Sequence, residues 1–131
     1  MTPSQEQKTI GMPLVVVVDD DESVRESLPD LLKEFGFDAL TFSSAEGFLA
    51  SGSVDRTNCL LLDIAMPGMS GVDLQRELKN RGHKIPIIFI TAQKAESVRK
   101  RVLEQGAVEL LLKPFSDTAL REALSQAIGG S

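Results

Sequence analysis

Tryptophan and tyrosine are absent from this 131-residue chain, and cysteine and histidine occur once each. The single thiol, Cys59, excludes an intrachain disulfide, and one cysteine with one histidine makes no zinc ligand set. Cys59 stands in an apolar stretch, where a thiol packs rather than reacts. His83 follows a glycine in a polar loop with no acidic or cysteine neighbour in sequence, and is read as a solvated side chain. No apolar run approaches the roughly 18 residues of a membrane span, and residues 1–12 lack the apolar centre of a signal peptide. The cytoplasm is therefore the expected compartment, with no membrane partner. A formal net charge of −5 argues against direct nucleic-acid binding by this domain.

What is present fits one globular domain, with 42% hydrophobic and 25% charged residues in ordinary proportion. Residues 1–12 read as a flexible tail, 13–128 as the domain, and 129–131 as its end or the start of a linker. Apolar runs at Leu14–Val18, Asp38–Phe42, Asn58–Leu62, Ile85–Thr91 and Val108–Leu112 predict five strands. Between and after them, helical spacing predicts helices over Glu22–Phe35, from Ser44 to Gly52, from Ser70 or Gly71 to about Gly82, over Ala95–Gln105 and over Asp117–Ile128. Asp21 suits the first helix's N-cap, while Pro29 inside it is expected to kink it or cost about 3 kcal/mol. Strict alternation of strand and helix predicts an α/β fold: a flavodoxin-like (βα)5 doubly wound, five-stranded parallel sheet of order 2-1-3-4-5.

In such a sheet the carboxyl ends of the strands converge on a crevice. The first strand delivers Asp19, Asp20 and Asp21 there, the third Asp63, the fourth Thr91 and the fifth Lys113. Each has an ordinary explanation alone: Asp63 as a turn residue before Pro67 and Gly68, Asp21 as a helix-dipole complement, Thr91 as a strand former. Together they pose a charge problem, since two carboxylates at 4 Å repel by about 4 kcal/mol at an effective dielectric of 20. Such a cluster is stable only if protonated, separated or neutralised by a cation, and hard oxygen ligands point to Mg2+. Carboxylates, a hydroxyl donor and a lysine around one candidate nucleophile are the equipment of phosphoryl transfer, with Asp63 able to form an acyl phosphate.

Four segments in this order resemble the receiver (CheY-like) domains of two-component response regulators: Val17–Asp21, Leu62–Gly71, Ile90–Ala92 and Leu112–Phe115. Ser44-Ala45-Glu46, Gly106-Ala107-Val108 and Lys113-Pro114-Phe115 are similar to the FixJ-like branch, whose members often carry a helix-turn-helix output domain. The resemblance implies that Asp63 is the phosphoacceptor and Asp20 the acidic metal ligand, with Asp19 in the outer or water-mediated shell. It further implies that the Ala65 carbonyl completes the protein's Mg2+ ligands, that Thr91 and Lys113 receive the phosphoryl oxygens, and that the Lys113–Pro114 bond is cis. A sensor histidine kinase is the implied donor, with an output domain or downstream protein, and a homodimer, as further partners.

The chain departs from the family pattern at Leu110, where members carry an aromatic that swings during activation; Leu110 is expected to pack, with the response carried by the helix over Ala95–Gln105, the alternative being weakened coupling. Ala65 and Gln93 border the family's attacking water, and a small Ala65 leaves that path open. Two other functions compete. A Mg2+-dependent phosphatase normally needs an acid two residues after its nucleophile, where this chain has Ala65. An interaction domain that works without phosphorylation would have no use for Asp20, Asp63, Thr91 and Lys113. The basic cluster Lys94, Arg99, Lys100 and Arg101 reads as a solvated face.

Overall fold

The computed structural model describes residues 12–92 and 96–128. The expected tail up to residue 11, Gln93, Lys94, the helix start at Ala95 and residues 129–131 lie outside the described residues. The strands are β1 (Leu14–Val18), β2 (Asp38–Phe42), β3 (Cys59–Asp63), β4 (Ile87–Thr91) and β5 (Glu109–Leu112). The helices are α1 (Glu22–Glu34), α2 (Ala45–Ala50), α3 (Gly71–Asn80), α4 (Glu96–Glu104) and α5 (Asp117–Ala127), with one 3-10 turn at Val54–Arg56. All four strand pairings are parallel, and the sheet order is β2-β1-β3-β4-β5, as the alternation predicts.

Two layers of helices explain why β1, β3 and β4 are buried at every residue. Successive side chains of a strand point to opposite faces, so Val16, Val18, Leu60, Leu62 and Phe89 pack with Phe48, Leu74 and Val102 from α2, α3 and α4. Val15, Val17, Leu61 and Ile88 pack with Leu28, Leu32, Leu120 and Leu124 from α1 and α5. Cys59 belongs to the second layer, and burial pushes its thiol up to about 12. It is therefore a packing residue that holds its proton.

Side-chain caps place the helix starts. Asp21 accepts from the Ser23 amide at α1, as its sequence position predicts, and Ser70 forms a reciprocal capping box with Asp73 at α3. The chain is helical on both sides of Pro29; Leu28 and Leu32, buried beside it, supply packing that offsets the lost hydrogen bond.

The strand ends differ from the sequence expectation by one or two residues. β3 begins at Cys59 because Asn58 performs the strand's pairing with its side chain: Asn58 Oδ1 accepts from the Leu14 amide at 2.8 Å, and Asn58 N donates to the Leu14 carbonyl. At the other end Asp63 joins the ladder opposite Ile90. β4 starts at Ile87, two residues later than expected, since Pro86 contributes only a carbonyl, which accepts from Leu60 N.

Candidate functional site

Asp63 is the last residue of β3, and its pairing holds the backbone of the candidate nucleophile rigid. Directly beyond it, Gly71 N donates to the Ile64 carbonyl at 2.9 Å, so the loop to α3 leaves and returns at one point. Asp19, one residue past β1, is fully buried, and Asp63 is 6% exposed; Asp20 faces solvent. Carboxylate oxygens of Asp19, Asp20 and Asp63 lie within 4.8 Å of one another. Thr91 ends β4 in a buried position, and its carbonyl accepts from Lys113 N at 2.7 Å, which fastens the β5 end to the β4 end. Lys113 Nζ stands 2.8 Å from Asp19 Oδ2 and 4.0 Å from Asp63 Oδ2. The Lys113–Pro114 bond is cis. Ala65 is exposed at the rim, and its amide makes a long 3.4 Å contact with Asp63 Oδ1.

The fold thus brings together Asp19, Asp20, Asp63 and Lys113, with Thr91 joined to Lys113 through its carbonyl, whereas Asp21 turns to cap α1. It adds a contact that sequence reasoning missed: Lys113, expected to wait for a phosphoryl group, is already paired with Asp19. Two further residues support Asp19. Its Oδ1 accepts from the Asp21 amide at 2.9 Å, and Arg25 Nη1 donates to its backbone carbonyl at 2.8 Å. No local pattern announces Arg25, which reaches back from the first turns of α1.

The electrostatics follow from burial. Asp63 is pushed up to about 7, first by loss of water, then by the hydrogen bond and charge of Asp19; Lys113 pulls the other way. Burial works to lower the Lys113 ammonium, but the facing carboxylates outweigh it and raise it overall. A divalent cation fits this donor set. All the donors are hard oxygens; two of the carboxylates are desolvated and crowded enough for one to keep a proton. Among the described residues Asp19 Oδ2 is buried with no hydrogen-bond partner, its 2.8 Å approach to Lys113 being a charge contact rather than an aligned hydrogen bond. Asp19, Asp20, Asp63 and the Ala65 carbonyl are the groups that would hold the ion.

A pH dependence follows. Without metal, the folded chain retains on Asp63 a proton that the unfolded chain releases near pH 4. Between about pH 4 and 7 the folded state therefore binds more protons, and stability falls as pH rises. The expected loss is on the order of 2 kcal/mol after allowing for partial solvation. Asp21 and Glu46, lowered by hydrogen bonds to backbone and side-chain donors, act with the opposite sign but only below about pH 4.5. Thermal unfolding in EDTA should give a lower midpoint at pH 8 than at pH 5, and saturating Mg2+ should remove most of the difference. A flat profile in the metal-free protein, or one unchanged by Asp63→Asn, would contradict this assignment.

Two smaller readings gain a contact in space. His83, with no acid beside it in sequence, has Asp55 Oδ1 from the 3-10 turn 3.7 Å from its Nδ1. Arg99 is not a merely solvated charge: it pairs with Glu109 at 3.0 Å and donates to the Leu110 carbonyl at 3.2 Å, tying α4 to β5. Leu110 itself is 6% exposed and packs in the α2–α4 layer, as expected of a residue that fills space.

Comparison with known proteins agrees with this fold. Residues 15–125 match the family described as response regulator receiver domain. Nodulation protein W of Bradyrhizobium diazoefficiens is 43% identical over 114 residues, which cover 87% of this chain and 50% of that protein. The transcriptional regulatory protein FixJ of Rhizobium meliloti is 41% identical over 113 residues, covering 86% of this chain and 55% of that protein. The chain thus spans about half the length of these curated relatives. Among solved structures, the crystal structure of FixJ-N superposes with a TM-score of 0.80 at 37% identity, covering 91% of this chain and 95% of that one. The response regulator StyR superposes with a TM-score of 0.83 at 45% identity, covering 90% of this chain and 60% of that one.

Proposed function

This chain belongs to the response regulator receiver domain family, and on that premise we propose that it is a phosphorylation-activated switch of a two-component system, with Asp63 as phosphoacceptor. The observation that carries the proposal is the convergence of Asp19, Asp20 and Asp63 within 4.8 Å beside the Lys113 ammonium. Residues 13–128 form the working domain, a sensor histidine kinase is the donor, and Mg2+ is the required ion.

In the transfer, an Asp63 Oδ attacks phosphorus while the bond from phosphorus to the donor imidazole nitrogen breaks. The product is an acyl phosphate on Asp63, and the electron pair leaves with the imidazole. Burial and then the proximity of Asp19 work against an ionised nucleophile at neutral pH; an ion held by Asp19, Asp20, Asp63 and the Ala65 carbonyl would favour the carboxylate. When bound, the ion supplies neutralisation of charge on the nucleophile and on the phosphoryl oxygens. Lys113 balances Asp19 beforehand and turns toward a phosphoryl oxygen afterwards; Thr91 donates its hydroxyl to another.

The phosphoryl group brings up to about two negative charges and three acceptor oxygens, which bias the β4 and β5 ends. With Leu110 buried, no aromatic rotamer relays this change. The relay runs instead through α4, which Arg99 fastens to β5 and Gln75 fastens to α3 by a 3.3 Å bond to the Val102 carbonyl. The chain is then a signalling domain with at most slow turnover of its own acyl phosphate. An output domain or downstream protein reads the change, and a homodimer is one form in which it is read.

Incubation with Mg2+ and a small acyl phosphate, followed by intact-mass measurement, tests the acceptor. The wild type should gain one phosphoryl group, and Asp63→Asn none. Uptake that survives Asp63→Asn would move the acceptor elsewhere. Absence of uptake in the wild type would leave an interaction domain independent of phosphorylation, and rapid hydrolysis of ordinary phosphomonoesters would make the chain a phosphatase.

A further inference from the structure

The loop from Ile64 to Ser70 carries the Ala65 carbonyl, yet its own sequence does little to fix its shape. Its base is closed by the Gly71–Ile64 hydrogen bond. Its tip contains Pro67, which has no amide proton, and Gly68, which sits at φ +74°. Residues 67 and 68 are exposed. What reaches the tip comes from α2: Glu46 Oε2 accepts from the Met69 amide at 2.9 Å. Among the described residues this is the one side-chain hydrogen bond to the backbone of residues 66–69.

The base of that contact is rigid. Ser44 caps α2 through the Gly47 amide, and the flanking Ala45 and Phe48 are both fully buried. Gly68 is fitted to the same carboxylate, because a Cβ there would lie 2.7 Å from Glu46 Oε2. The Glu46 carboxyl is held below the usual range by the Met69 amide and by its own backbone amide, so the clamp is an ionised acceptor at working pH.

We propose that Glu46 is a positioning residue that clamps the tip of the β3–α3 loop through Met69, and so sets the place of the Ala65 carbonyl for the divalent cation. This inference rests on the metal-dependent phosphoacceptor function proposed above. Glu46 does not touch the ion; it fixes the backbone from which a ligand is offered. Partners of direct metal ligands commonly change affinity 10- to 100-fold when removed, and a contact four residues away along the loop should do less.

The test is a Mg2+ titration of wild type, Glu46→Gln and Glu46→Ala, followed by the amide chemical shifts of Asp20 and Asp63. Metal-free thermal midpoints and Met69 amide exchange are measured on the same samples. Glu46→Ala should raise the Mg2+ dissociation constant about three- to tenfold and speed Met69 exchange. Glu46→Gln, which loses the charge but keeps an oxygen for the Met69 amide, should restore most of both. An unchanged dissociation constant in Glu46→Ala would overturn the clamp, while wild-type binding would leave the metal site standing. Equal weakening in Glu46→Gln and Glu46→Ala would also overturn it, by assigning the effect to a distant charge. A wild type that takes up no Mg2+ would remove the metal function itself, and the clamp with it. As a reciprocal check, Gly68→Ala displaces the carboxylate from the other side, so its effect on Mg2+ affinity should be much less than additive with that of Glu46→Ala.

Discussion

Replacing Gly71 by alanine should lower the thermal midpoint by about 10 °C, a loss of about 3 kcal/mol, and should largely abolish phosphoryl uptake. The direction is contrary to the usual rule. At the first turn of a helix, glycine to alanine ordinarily stabilises by a few tenths to 1 kcal/mol, because the unfolded chain loses freedom. Gly71 has no positive φ to protect, so the backbone raises no objection. The objection is steric: a Cβ there would overlap the Asp63 carbonyl oxygen and lie 3.1 Å from the Asp63 carbonyl carbon and 3.0 Å from Ile64 Cα. All three atoms are backbone, and two belong to Asp63, the proposed phosphoacceptor. No side chain can swing aside, so either α3 withdraws or the end of β3 shifts. Withdrawal opens space around Leu74 and Leu78, both core residues, and a shift misplaces the Asp63 carboxylate. Unfolding by circular dichroism reads the first cost and intact mass after acyl-phosphate treatment reads the second. A variant as stable as wild type, with normal uptake, would mean that the helix start yields at no cost.

The residues that were legible in the sequence are those whose role depends on their own strand. Val15 to Val18 and Leu60 to Leu62 are apolar without alternation because helices cover both faces, and that pattern announced a parallel sheet. Once the sheet order followed, Asp19, Asp63, Thr91 and Lys113 were bound to meet, since each stands at a carboxyl end. What could not be read were the contacts between those ends. Nothing local to Lys113 says that its ammonium is taken by Asp19, and nothing local to Glu46 says that its carboxylate reaches Met69, because both partners are fixed by packing of separate elements. Ends of strands were misread where a side chain imitates backbone, as Asn58 does, or where proline leaves half a ladder, as at Pro86. The same limit applied to Arg99, whose charge looked solvated until α4 was set against β5.

Lys113→Ala should cost the metal-free protein about 3 kcal/mol at pH 8, retain part of its phosphoryl uptake, and lose its conformational response. The first effect is electrostatic. Asp19 has no exposure, and among the described residues Lys113, 2.8 Å away, is the cation paired with its carboxylate. Removing one member of a buried pair commonly costs 3–5 kcal/mol, because the other charge is stranded. Here there is a partial remedy, since Asp63 already favours its protonated form. Lowering the pH toward 5 should therefore recover stability in the variant more steeply than in wild type, and Mg2+ should recover most of it at any pH. The second effect separates chemistry from signalling. Asp63 and the proposed metal ligands Asp19 and Asp20 remain, so attack on phosphorus is still open, though slower without the ammonium. What is gone is the group that joins the phosphoryl oxygens to the end of β5, and through the Thr91 carbonyl to β4. Beryllofluoride with Mg2+ should thus perturb amides around Asp63 in the variant while leaving those of α4 and β5 at their resting shifts. If those distant amides moved as in wild type, the path from acceptor to surface would have to run through Thr91 alone. Lys113 would then be an electrostatic counterweight to Asp19 and nothing more.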